Sequence, residues 1–368
     1  MSHRYANGGD SSGRGGARDE RSPWAVASAL TMGADGDWDA PEAARARRER
    51  REAARARLRR QRRLAGAGAL ALLGLVAIGV VGLGGSGRSG GGGERSRRAA
   101  AAPPAPELPR GGRTILPAFR VVAYYGAPQD AQLGQLGIGS PDQAARMLAR
   151  QARPYAQPRG RPVLPAFELL ATVAAHAPGP DGRYRTIQPD AVIRRYLAAA
   201  RRHHLLLILD LQPGYEPFMT EVRRLRRYLE QPDVSLALDP EWSLRPPNRP
   251  GQVIGSTDAS VVNETSAYLA DIVRRRNLPQ KLLLVHQFTD GMINHRRQLV
   301  ARPGIALTLN VDGFGGQAVK IAKYRALTQG ERRFHNGFKL FYHEDSKPMI
   351  SPRRALRLHP SAEVFVYE

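Results

Sequence analysis

From residue 115 to the end, the chain repeats one pattern: a short unbroken apolar run, a polar loop, then a stretch with helical spacing. The period is about 30 residues, the size of one strand–helix–strand step. Eight apolar runs read as strands: Arg120–Tyr125, Val163–Val173, Leu205–Leu211, Val234–Asp239, Lys281–Gln287, Ile305–Asn310, Phe338–His343 and Glu363–Tyr367. These runs are apolar throughout and do not alternate, which fits strands buried on both faces of a parallel sheet.

Helix starts fall between the runs. Ser140-Pro141-Asp142-Gln143 places Ser at the N-cap, Pro at the first helical position and Gln two further on, the pattern of a capping box. Further starts lie near Pro189, Pro217, Asp258, Gly291, Gly316 and Ser351. Eight strands alternating with helices over some 250 residues predict an α/β fold, a (β/α)8 TIM-like barrel. The chain stops at the eighth strand, so the barrel lacks a final helix, and the segment near Leu108–Leu116 is expected to cover that seam. An open doubly wound sheet is the alternative.

The first third of the chain reads differently. Leu64–Leu83 is free of charge for about 20 residues, enough to span roughly 30 Å of hydrocarbon as a helix. Arginines crowd its N-terminal side (Arg55, Arg57, Arg59, Arg60, Arg62, Arg63), while the other side opens on Gly84-Gly85-Ser86-Gly87. That asymmetry predicts a single-pass, uncleaved signal-anchor in the cell membrane, with the N-terminus cytoplasmic and the C-terminal domain extracytoplasmic. The expected organisation is a disordered basic tail at 1–63, a transmembrane helix at 64–84, a Gly/Pro-rich linker at 85–114 and the barrel at 115–368. The bilayer and, through the Arg-rich segment, anionic inner-leaflet lipid are the expected membrane partners.

The net charge is +23 over 368 residues, and there are no cysteines. The charge favours anionic partners, or else reflects scattered solvated arginines; it forms no stripe that would predict nucleic-acid binding. The missing cysteines exclude disulfides, thiolate metal sites and a thiol nucleophile.

In a barrel of this kind, chemistry collects at the C-terminal strand ends. Those positions carry Tyr124 and Tyr125; Glu168; Asp210 and Gln212; Asp239, Glu241 and Trp242; His286 and Gln287; Asn310 and Asp312; and His343, Glu344 and Asp345. Helix capping accounts for some of the aspartates. The sharpest signal is Asp239-Pro240-Glu241-Trp242: two carboxyls on one side of an extended chain push their pKa values apart, and the Trp offers a face for a sugar ring. The bland alternative is a capping Asp, an exposed Glu and a Trp packed beneath a loop. His286, His343, Asp210 and Asp239 stand where a metal site could gather, yet no short spacing such as HxH or HExxH marks one, and neither metal nor cofactor is expected. Gly313-Phe314-Gly315-Gly316 reads as a tight turn more readily than as a phosphate cradle.

LALDPEW resembles the fourth-strand motif of barrel glycoside hydrolases, in which an Asp-x-Glu ends the strand. The domain also resembles a group of actinobacterial membrane-anchored barrel proteins. Two acidic positions that chitinase-like enzymes carry before this pair are Val234 and Ala237 here. The place of the strand-one Asp of muramidase-like enzymes is held by Tyr124-Tyr125. The resemblance implies an enzyme acting on envelope polysaccharide, with Glu241 as general acid/base, Asp239 tuning it, and Glu344 or Asp210 as second carboxylate. Substrate contacts are expected from Trp242, Tyr124, Tyr125, Glu168, Gln212, His286, Gln287, Asn310, Asp312 and His343. A non-catalytic polymer-binding barrel or a degenerate hydrolase is the alternative.

Overall fold

The computed structural model describes residues 104–156 and 160–368. The tail expected at 1–63, the apolar run at 64–84 and most of the linker at 85–114 lie outside the described residues. Among the described residues, no helix is long and apolar enough to cross a membrane.

Eight parallel strands follow in chain order: β1 (Arg120–Gly126), β2 (Val163–Ala174), β3 (Leu206–Leu211), β4 (Val234–Leu238), β5 (Lys281–Gln287), β6 (Ile305–Val311), β7 (His335–Leu340) and β8 (Val364–Tyr367). Each pairs with the next, and β8 returns to β1 with Val121 opposite Val364 and Tyr124 opposite Tyr367. The sheet is therefore a closed TIM-like barrel, and the open doubly wound alternative is excluded. A short antiparallel strand, Arg185–Ile187, extends β2 beyond the barrel rim.

The helices are α1 (Pro141–Ala152), α2 (Asp190–Arg202), α3 (Phe218–Arg224), α4 (Arg226–Leu229), α5 (Ala259–Arg275), α6 (Gln317–Thr328) and α7 (Pro352–Ala355). The capping box at α1 forms: the Gln143 amide donates to Ser140 Oγ at 3.3 Å, and the Ser140 amide donates to Gln143 Oε1 at 2.8 Å. The helix expected near Gly291 does not form. Its place is taken by 3-10 turns at Asp290–Met292 and Arg296–Gln298, with His295 between them at φ 53°, a left-handed conformation that a helix cannot continue through.

Two further expectations shift. The segment before β1 plugs the barrel's N-terminal end and does not cover the seam. Leu108, Ile115, Leu116 and Phe119 pack with the inward-facing Val121, Leu164, Leu206 and Leu282. Gln280 Oε1 fixes this plug by accepting from the amides of Ile115 (2.7 Å) and Leu116 (2.9 Å). Tyr155, just after α1, lies over the outer face of β8: its ring centroid is 4.5 Å from that of Phe365, and its hydroxyl is 2.6 Å from that of Tyr367. Strand β7 runs three residues earlier than the apolar pattern implies. The polar His335 belongs to it by pairing with Thr308 of β6, and its ring meets Glu363 beside β8.

The apolar interior lies in two shells, one inside the barrel and a larger one between strands and helices. Each fully buried Leu or Phe stabilises the fold by roughly 1.5–3 kcal/mol. Lys281, the first residue of β5, is an exception to this apolar lining. It is fully buried, and its ammonium donates to the carbonyls of Gln231 (2.8 Å) and Val234 (2.7 Å). Burial pushes its pKa down to about 7, from an ordinary 10.5. Between those values the unfolded chain binds the proton that the folded chain has lost, so this residue makes stability rise with pH from about 7 to about 10.5. Urea unfolding across that range should show a slope approaching ~1.4 kcal/mol per pH unit from this group, and Lys281→Met should lack that contribution. Identical pH profiles for the two proteins would contradict the burial penalty.

Candidate functional site

Alternate residues of a barrel strand face inward. Half of the ring one step below the C-terminal mouth is small: Ala123, Ala166, Ala237 and Gly337 stand with Ile208, Leu284, Thr308 and Val366. The next inward position on each strand is polar or charged: Tyr125, Glu168, Asp210, Asp239, His286, Asn310, Lys339 and Glu368. The closed sheet therefore turns eight dispersed positions into one layer. Small residues beneath leave it room; a Cβ on Gly337 would stand 2.4 Å from Asn310 Oδ1.

His286 is the hub. Its Nε2 lies 2.8 Å from Glu168 Oε1 and 4.0 Å from Asp210 Oδ2. Its Nδ1 lies 3.2 Å from Asp312 Oδ2, with the Asn310 side-chain nitrogen 3.3 Å away. Burial opposes the imidazolium, but Glu168 and Asp312 outweigh it and hold His286 well above its ordinary pKa. Lys339 is the second cation. Its Nζ is 3.2 Å from Asp312 Oδ2, 2.8 Å from Glu368 Oε2 and 3.7 Å above the centre of the Tyr125 ring.

The acids divide by environment. Burial raises Asp210 to about 6, with Glu168 adding to the rise and His286 and Lys339 opposing it. Burial holds Asp239 well above the carboxylate range; His286 and Lys339 oppose this, while Asp210 and Glu241 reinforce it. Gln212 orients this side of the mouth: its side-chain nitrogen donates to Tyr125 Oη at 2.9 Å and sits 3.4 Å from Asp239 Oδ2. Its Oε1 accepts from the Ala174 amide at 3.1 Å.

Glu241 and Trp242 occupy a 3-10 turn, Pro240–Trp242, immediately after β4. The Gly255 amide donates to the Glu241 carbonyl at 2.7 Å. A Cβ at Gly255 would meet the carbonyls of Ser243, Glu241 and Pro240 at 2.4–2.7 Å, so only glycine lets this long loop close over the turn. Glu241 keeps 8% of its surface exposed and Trp242 5%, against none for Glu168, Asp210 and His286.

Of the residues expected at the site, the fold gathers Tyr125, Glu168, Asp210, Gln212, Asp239, His286, Asn310 and Asp312 into the mouth, with Glu241 and Trp242 on the turn beside Asp239. Tyr124 faces the helix layer, edge-on to Tyr342. Gln287 also lies outside the inward set and donates to the carbonyl of Thr289 at 3.1 Å. His343 and Glu344 fall on the loop after β7, His343 exposed and Glu344 partly buried. Asp345 is buried against Lys320, 2.8 Å from its Nζ. Lys339 and Glu368 were not anticipated. The signal for Lys339 was a lysine set within the apolar strand Phe338-Lys339-Leu340. Glu168, Asp210 and His286 each offer one ligand atom to a common point, all within 4.8 Å of one another.

The chain matches no known protein family and no curated protein sequence.

Replacing Lys339 with Met leaves Asp312 and Glu368 facing each other across a buried layer without their shared cation. Urea unfolding should show a loss of about 3–5 kcal/mol. A loss below about 1 kcal/mol would show that the layer reorganises without that charge.

Proposed function

We propose that this protein is a glycoside-hydrolase-like enzyme acting on cell-envelope polysaccharide at the C-terminal mouth of the barrel, with Glu241 as general acid/base. The observation that supports this most is the division of labour at the end of β4. Asp239 is sealed in the layer at 2% exposure, while Glu241, on the 3-10 turn that follows, keeps 8%. Asp239, whose carboxyl Glu241 helps hold above its ordinary range, would tune it, and Trp242 sits beside it on the same turn. In the reaction, Glu241 donates a proton to the glycosidic oxygen as its bond to the anomeric carbon breaks. Water adds to that carbon and surrenders a proton to a second carboxylate, Asp210 or Glu344. The Leu64–Leu83 anchor would confine this activity to nearby envelope material, and the Arg-rich segment would rest on anionic inner-leaflet lipid.

A second reading, a non-catalytic barrel that holds anionic envelope polymer, is favoured by a groove between α6 and α7 into which Arg325, Arg353, Arg354 and Arg357 project. Reducing-end release from purified envelope glycan separates the two. Glu241→Gln should lower turnover by about 10²–10⁴-fold. Equal turnover by wild type and variant would remove Glu241 from the chemistry. Salt-sensitive retention of the wild type on the glycan without any turnover would support the binding barrel instead.

A further inference from the structure

The acidic layer contains more buried oxygen than its neighbours satisfy. Glu168 Oε2, both carboxylate oxygens of Asp210 and Asp239 Oδ1 find no hydrogen-bond partner among the described residues. Glu168 and Asp210 are fully buried and Asp239 is 2% exposed. Leaving one charged oxygen unsatisfied in such a place is costly, and one of them, Asp210 Oδ2, stands 4.0 Å from His286 Nε2.

We propose that Glu168, Asp210 and His286 form a binding site for a divalent cation of the first transition row, with Asp239 at its edge. The imidazole lies close enough to each carboxylate to share such an ion with it. Two ligand atoms that each sit about 2.1 Å from one ion can lie at most about 4.2 Å apart. His286 Nε2 is 2.8 Å from Glu168 Oε1 and 4.0 Å from Asp210 Oδ2. The other ring nitrogen faces Asp312 Oδ2 at 3.2 Å. A carboxylate behind a histidine is the arrangement that fixes the ring and its tautomer, leaving Nε2 to bind a metal. Asp312 is itself oriented by Lys339 at 3.2 Å and by the Gly313 amide at 2.6 Å. Thus the ligands stand on β2, β3 and β5 while the supporting group stands just after β6, so each side chain is set by a different strand.

The donor set narrows the ion. Carboxylates with one imidazole suit Mn²⁺, Fe²⁺ or Zn²⁺. Ca²⁺ prefers six to eight oxygens at longer range, which three side chains on separate strands do not supply. Binding requires His286 Nε2 to be free of a proton, so uptake falls as pH is lowered. The site itself does not depend on what the mouth turns over.

The test uses the full-length chain, stripped with a chelator and dialysed against Mn²⁺ or Zn²⁺. One ion per chain is expected. Asp210→Asn and His286→Gln should weaken uptake at least tenfold, and Asp312→Asn by about 10–100-fold. Variants within this layer can fail to fold, so the wild-type chain supplies the decisive measurement: pulsed EPR of bound Mn²⁺ should show nitrogen coupling from one imidazole. Absence of one-to-one uptake, or Mn²⁺ bound without nitrogen coupling, would overturn the site. So would a folded Asp210→Asn chain that binds like the wild type. Displacement of Mn²⁺ by equimolar Ca²⁺ would overturn the class of ion. Glycan turnover enters none of these readings, so this inference and the role of Glu241 stand or fall separately.

Discussion

Closure of the eight-stranded sheet is the constraint on which the rest depends. Once β8 pairs with β1, every second residue of each strand must face a confined interior, and neighbouring strands place those residues in common layers. The lower layers are filled by Val, Leu and Ala. At the top, the same geometry brings carboxylates, an imidazole and an ammonium within hydrogen-bonding range, although they come from strands spread over more than 200 residues. A one-residue slip in any of these strands would send its polar group outward and an apolar one inward.

The electrostatics of the layer differ from those of an ordinary buried ion pair. Structural buried charges come as satisfied pairs, as in Arg185, which lies 2.6 Å from Glu221 and 3.1 Å from Glu216. Around His286, carboxylates outnumber cations and several oxygens lack partners among the described residues. Two acids are pushed toward their neutral forms while the imidazole is pushed toward its charged form. Pulling titrations apart in this way within one small volume is what acid–base and metal chemistry need, and it costs stability that the apolar shells must offset. Glycine at 255 and 337 and the bulged β2 near Leu170–Thr172 adapt the backbone to this end of the barrel.

The barrel was legible because unbroken apolar runs, turn residues and helix caps are local signals. Seven of the eight strand runs lie within a residue or so of their expected bounds, and the capping box at Ser140 forms as its spacing implies. The candidate site was legible in part for the same reason. A polar residue that ends an apolar strand, such as Asp210 or His286, is visible in one dimension. Polar residues within or beyond a strand are harder to place: His343 and Glu344 seemed to end β7, yet that strand finishes at Leu340, after which the Phe341 amide donates to Asp345 Oδ2.

By itself, the sequence determined the eight barrel strands along the chain and the set of ionisable groups near their ends, since each follows from local pattern and composition. Only the tertiary structure decided which way each side chain points and which groups meet. Tyr124 and Tyr125 are adjacent and alike, yet the pleat sends one to the helix layer and the other under Lys339. Lys339 could be recognised as the counter-ion of Asp312 and Glu368 only once β6, β7 and β8 lay side by side. Facing direction and long-range proximity are properties of the closed sheet, and no window of the chain contains them.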